Sequence, residues 1–146
     1  MDGQSTRKCC YKIITVQNVD GEIVKFVITP TTYFVDQFMM NIDDFVEGFY
    51  DAFAPVPLIY PPQYRALVMV LINQYVRVKV DHFDEKLLSS DKSLKLNISP
   101  LTQLTQENGQ LFTGNPANHN LIVKYDFTTF SIPAQTTPIS IIVLCR

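Results

Sequence analysis

The sequence predicts a mainly β fold: a jelly-roll-like two-sheet sandwich with one amphipathic helix, preceded by a flexible N-terminal arm. Three observations carry this. Short runs rich in β-branched residues recur along the chain with apolar and polar residues alternating. Turn residues and prolines punctuate them. One segment alone, around residues 34–53, changes to a spacing of three or four.

The elements follow in order. Residues 1–8 contain no apolar residue after Met1 and read as an arm; residues 1–10 form this arm with a Cys9-Cys10 connector, and residues 11–146 form one β-sandwich domain. Tyr11–Gln17 and Glu22–Thr29 flank Asn18-Val19-Asp20-Gly21, where Asp-Gly favours a tight hairpin turn. Pro30 ends that hairpin. Phe34, Phe38, Ile42, Phe45, Phe49 and Phe53 then share one face of an expected helix, with Thr31 or Thr32 as N-cap and Gly48 as its weak point. Ala54–Pro62 holds four prolines and reads as an extended crossing loop.

Strand patterns resume at Tyr64. Ala66–Ile72 is either the front half of the strand carrying Val76, Val78 and Val80 or a separate strand turning at Asn73-Gln74. Leu94, Leu96 and Ile98 mark another, as do Leu121, Val123, Tyr125 and Phe127. Residues 100–120 are rich in Thr, Gln, Asn and Gly and read as a long loop, and Pro138–Cys145 is the last strand.

Composition narrows the function classes. The chain has 146 residues, of which 47% are hydrophobic and only 18% charged, enough for a real core under a surface poor in charge. The net charge of −2 and the lack of any basic run longer than Arg7-Lys8 argue against nucleic acid or an anionic membrane as partner. Met1 is followed by a polar stretch with no apolar h-region, so synthesis in the cytosol without a signal peptide is expected. The longest apolar run, Ala66–Ile72, is too short to span a bilayer.

No glycine-rich phosphate loop and no nucleophile signature occurs, and the only histidines are His82 and His119. Neither enzymatic activity nor a cofactor is expected. Asp81, His82 and Asp84 form the densest polar cluster. His82 and Asp84, two apart on an extended chain, can face one ligand, but no second histidine or cysteine stands at ligand spacing, so a strand ending in a solvated acidic turn is the preferred reading. Asp43, Glu47 and Asp51 read as the wet face of the expected helix. Tyr75, Arg77, Lys79 and Phe83 interleave rings and cations along one strand without a wider basic surface.

The cysteines are the unusual feature: Cys9 and Cys10 adjoin, and Cys145 is penultimate. Adjacent Cα atoms lie about 3.8 Å apart, whereas ordinary disulfides span roughly 4.4–6.8 Å. A bond between neighbours is therefore strained. An odd count leaves a thiol for an intermolecular bond, unless all three stay reduced as in ordinary intracellular proteins.

A short polar arm, a Cys-Cys pair at its junction with a β-sandwich and a late cysteine resemble the endospore appendage (Ena) proteins of Bacillus. The resemblance implies a jelly-roll subunit stacked into a pilus on the spore surface. Cys9 and Cys10 would then be donors of intermolecular disulfides and Cys145 an acceptor. Partners would be copies of the chain and other appendage or spore-coat subunits. The chain departs from that pattern in two places: only Met1 supplies an apolar residue before the pair, and Gly21-Glu22-Ile23 stands where a further cysteine is expected. The helix and the proline-rich loop are additions. Together these imply a divergent or accessory subunit, such as an anchor, ring or cap. Two other readings stay open: a minor capsid or accessory structural protein of a virus, and a small ligand- or metal-binding module built on Asp81, His82 and Asp84.

Overall fold

A computed structural model describes residues 9–145. The expected arm over residues 1–8 lies outside the described residues. The chain is mainly β: among the described residues there are twelve strands and no α-helix. Where one domain over 11–146 was expected, the chain divides into two compact units, one ending at Ile72 and the other beginning at Asn73.

The first unit holds β1 (Lys12–Gln17), β2 (Ile23–Ile28), β3 (Tyr33–Phe34), β4 (Val46–Phe49), β5 (Gln63–Arg65) and β6 (Val68–Leu71). They form two three-stranded sheets, ordered β1-β2-β5 and β3-β6-β4. The expected hairpin is present: β1 and β2 pair antiparallel with Thr15 opposite Lys25. Its turn is closed by Asn18, whose carbonyl accepts from the Gly21 amide at 3.0 Å. The Asn18 side-chain oxygen accepts from Asp20 and Glu22 at 3.0 and 2.9 Å. Gly21 takes the positive φ of 85° that this turn requires.

The helix expected over residues 34–53 is corrected. Its span contains β3, a 3-10 turn at Val35–Gln37, an irregular stretch and β4. Tertiary pairing outweighs the local spacing. Phe34 pairs with Met69, and β4 lies antiparallel to β6 with Gly48 opposite Met69. Positive φ values at Asp36, Gln37 and Asp43 break any helical path. Gly48 is the second glycine with a structural demand: a Cβ there would meet the Phe26 ring at 2.6 Å. The threonines proposed as caps serve a turn instead, Thr32 Oγ1 donating to the Ala66 carbonyl at 2.8 Å. The core gathers Phe26, Ile28, Ala66 and Met69, with Ile14, Val16, Phe34, Phe38, Val46 and Tyr64 packed against it.

The second unit holds β7 (Arg77–Phe83), β8 (Leu94–Leu96), β9 (Gln103–Gln106), β10 (His119–Tyr125), β11 (Ala134–Thr136) and β12 (Ser140–Leu144). One sheet runs β7-β10-β12-β9 and a second pairs β11 with β8. The β12–β9 and β11–β8 pairs are parallel. Leu94 and Leu96 from the short sheet meet Phe83, Leu121, Val123, Ile141 and Val143 from the long one in a buried core. Leu121, Ile122 and Val123 are all fully buried, so β10 carries a continuous apolar run instead of alternating. One alternative is decided here and one expectation changes. Ala66–Ile72 holds the separate strand β6, which belongs to the first unit, and the polar stretch 100–120, expected to be a loop, contains β9. In β9, Gln103–Gln106 pairs with β12 despite its polarity because the backbone supplies the bonds.

Candidate functional site

Cys9 and Cys10 lie in a turn immediately before β1. Their Sγ atoms are 3.7 Å apart, too far for a disulfide but within reach of a thiol hydrogen bond, and both residues are exposed. Cys145 is the first residue after β12 and is exposed as well. It belongs to the second unit, whereas the pair belongs to the first. The Cys10 thiol is pushed above its usual range. The hydrogen bond with Cys9 is the main cause, followed by the charge a Cys9 thiolate would carry. The thiolate is the species that attacks a disulfide, so this coupling makes Cys10 slower to exchange at neutral pH than an isolated exposed cysteine.

The acidic cluster straddles the end of β7, which holds Asp81 and His82, and the connection to β8, which begins with Asp84. Asp84 accepts from the backbone amides of Lys86 and Leu88 at 2.8 and 3.0 Å. Those bonds, Leu88 first, hold its carboxyl below the usual range. Asp81 accepts from the Ser90 hydroxyl and, at 2.8 Å, from the His82 amide. His82 turns its Nδ1 toward Asn120 Oδ1 at 3.2 Å, across the β7–β10 pair. The three candidate ligands thus engage different neighbours. Among the described residues no group of three or more His, Cys, Asp or Glu side chains is placed to hold a metal ion.

Sequence reasoning missed the centre of this region, Asp91. Its Oδ2 accepts from Lys79 Nζ at 2.7 Å, and its Oδ1 accepts from the hydroxyls of Ser89 and Ser93 at 2.6 and 2.7 Å. Burial pushes the Asp91 carboxyl up, but Lys79, Ser89 and Ser93 outweigh it and hold the group well below the carboxylate range. Buried Ser89 also accepts from the amides of Ser93 and Leu94. Ser89-Ser90-Asp91 is the only local hint of this arrangement, since short polar residues favour side-chain-to-backbone turns.

The remaining candidates disperse. Tyr75 and Arg77 are exposed, Lys79 is committed to Asp91, and Phe83 is in the core. Asp43, Glu47 and Asp51 share no helical face. Asp51 instead accepts from the Phe53 amide at 2.9 Å, and Asp43 takes a φ of 74°. The aromatic and aliphatic residues of this segment are left on the surface. Phe45 is 79% exposed and Phe53 97%, with Met39, Ile42, Leu58 and Tyr60 similarly uncovered. A contiguous sequence stretch this apolar and this exposed is a feature of surfaces that meet other proteins. Among the described residues no helix is long and apolar enough to cross a membrane. No protein-family model, curated protein or solved structure matches the chain.

Proposed function

We propose that the chain is a non-enzymatic structural subunit that self-assembles into a fibre, ring or anchor on a spore surface, cross-linked by intermolecular disulfides. The observation that carries this reading is the placement of the thiols: Cys9, Cys10 and Cys145 are all exposed, two before the first strand and one after the last. The resemblance of that cysteine arrangement to endospore appendage subunits supplies the spore-surface setting. The exposed apolar stretch between Met39 and Tyr60 supports association of copies before any bond forms. In the same reading, the two sheets sharing the core of the second unit provide the jelly-roll-like sandwich of the subunit.

The linking step joins Cys10 or Cys9 of one copy to Cys145 of another. Two thiols lose two protons and two electrons, and an oxidised low-molecular-weight disulfide takes them up and leaves as two thiols. Gel electrophoresis of the purified protein with and without reductant tests this. A ladder of multimers that collapses on reduction is expected, and Cys9→Ala combined with Cys10→Ala removes it. A monomer in the absence of reductant, with the double variant assembling like wild type, overturns the reading.

A further inference from the structure

We propose that the open edge of β1 is a strand-docking groove for an extended, apolar and basic segment of a partner protein. The inference is independent of the thiols. In the order β1-β2-β5, β1 is an edge, and among the described residues no strand pairs its outer side. The register shows which groups face outward. Lys25 donates its amide to the Pro62 carbonyl at 2.9 Å, and the Val27 carbonyl accepts from Ala66 at 3.0 Å. Both residues therefore direct these backbone groups toward β5. Their β1 partners, Thr15 and Ile13, are non-hydrogen-bonded positions of the β1–β2 ladder. The N–H and C=O groups of Ile13, Thr15 and, by alternation, Gln17 point to the open edge.

A groove of about 630 Å³ runs along this edge. Its lining takes four consecutive β1 residues, Ile14–Gln17, on one side and the stretch Met40–Val46 on the other. Consecutive residues of a strand line one cavity only when the cavity follows the strand's edge, because alternate side chains leave by opposite faces. The far wall is held in shape by Asp44, which accepts from the Asn41 amide at 2.8 Å while its own amide donates back at 3.2 Å. Ile14 and Val16 lie on the core side of β1, as do Met40 and Val46. A fourth strand paired to β1 would place alternate side chains against that apolar wall. The only charges in the lining are Asp43 and Asp44. An occupant carrying a Lys or Arg among the alternate side chains that face this wall is thus favoured over one carrying an acid there. Backbone bonds supply affinity and the alternate pockets supply selectivity, as in other strand-addition sites.

The test uses the full chain kept reduced and a fluorescent peptide of about seven residues whose wall-facing alternate positions carry valine and one central lysine, with threonine between them, matched by one with glutamate in place of that lysine. Saturable binding of the lysine peptide is expected, at least about tenfold tighter than the glutamate peptide. Thr15→Pro removes an outward donor while sparing the bonds to β2, and is expected to weaken binding at least about tenfold. Hydrogen exchange of the β1–β2 amides verifies that the hairpin persists in this variant. Asp43→Asn, which tolerates the positive φ, should weaken binding about threefold at low salt and flatten its salt dependence. Equal affinity for the two peptides, or undiminished binding by Thr15→Pro with an intact hairpin, overturns the proposal. Self-association lost in Thr15→Pro and indifferent to the peptide also overturns it, by making a second copy the occupant.

Discussion

At Gly48 the backbone of β4 passes so close to the Phe26 ring that a methyl group would sit 2.6 Å from Cζ. Gly48→Ala must displace a buried ring, and a loss of about 1–3 kcal/mol in urea unfolding is expected. Asp91 gives a second residue-level prediction. Its folded pKa is depressed, so its contribution to stability is complete above the ordinary carboxylate range and is lost as pH falls through and below it. Asp91→Asn should therefore cost stability near neutral pH, about 0.5–1 kcal/mol for a pair exposed in part. The difference from wild type should shrink on acidification, measured by denaturation across pH. Cys10 shows the opposite direction, its thiol raised by Cys9. In a Cys145→Ser background, Cys9→Ser should shift the alkylation profile of Cys10 to lower pH, followed by mass spectrometry of the Cys10 peptide.

Among the elements, the strands with β-branched alternation and a defined turn were legible in the sequence. The β1–β2 hairpin, β8, β10 and β12 all fall within stretches whose pattern named them. The segment 34–53 was not, for a physical reason. Its phenylalanines recur at helical spacing, but aromatic residues gain from pairing on a sheet, and the buried residues of β6, Val68 and Met69, offer that pairing. Local periodicity holds no information about a strand twenty residues later. The same limit hid β9, whose Gln and Thr side chains resemble a loop while its backbone bonds to β12. Hydrogen exchange separates the two descriptions of 34–53. Protection confined to β3 and the β4 register with β6 is expected, with residues 38–45 exchanging fast. A helix would protect one continuous run across that span.

For the whole molecule, the candidate site was legible where it depends on position along the chain and illegible where it depends on register. Cys9, Cys10 and Cys145 were conspicuous in the sequence, and the structure places all three at the surface. The groove along β1 was invisible, because its two walls, Ile14–Gln17 and Met40–Val46, are far apart in the chain and the outward backbone groups follow from pairing with β2 and β5. Asp81 and Asp84 were conspicuous for another reason, their carboxylates drawing in the Ser90 hydroxyl and the Lys86 amide, whereas Asp91, which gathers the Ser93 hydroxyl, was not. The proposed assembly stands or falls on whether Cys9, Cys10 and Cys145 join different copies. The most direct measurement mixes isotopically heavy and light protein before oxidation and maps disulfide-linked peptides by mass spectrometry. Heavy–light pairs joining the Cys9-Cys10 peptide to the Cys145 peptide are expected. Linked peptides found only as heavy–heavy and light–light pairs, or no linked peptides at all, would contradict it.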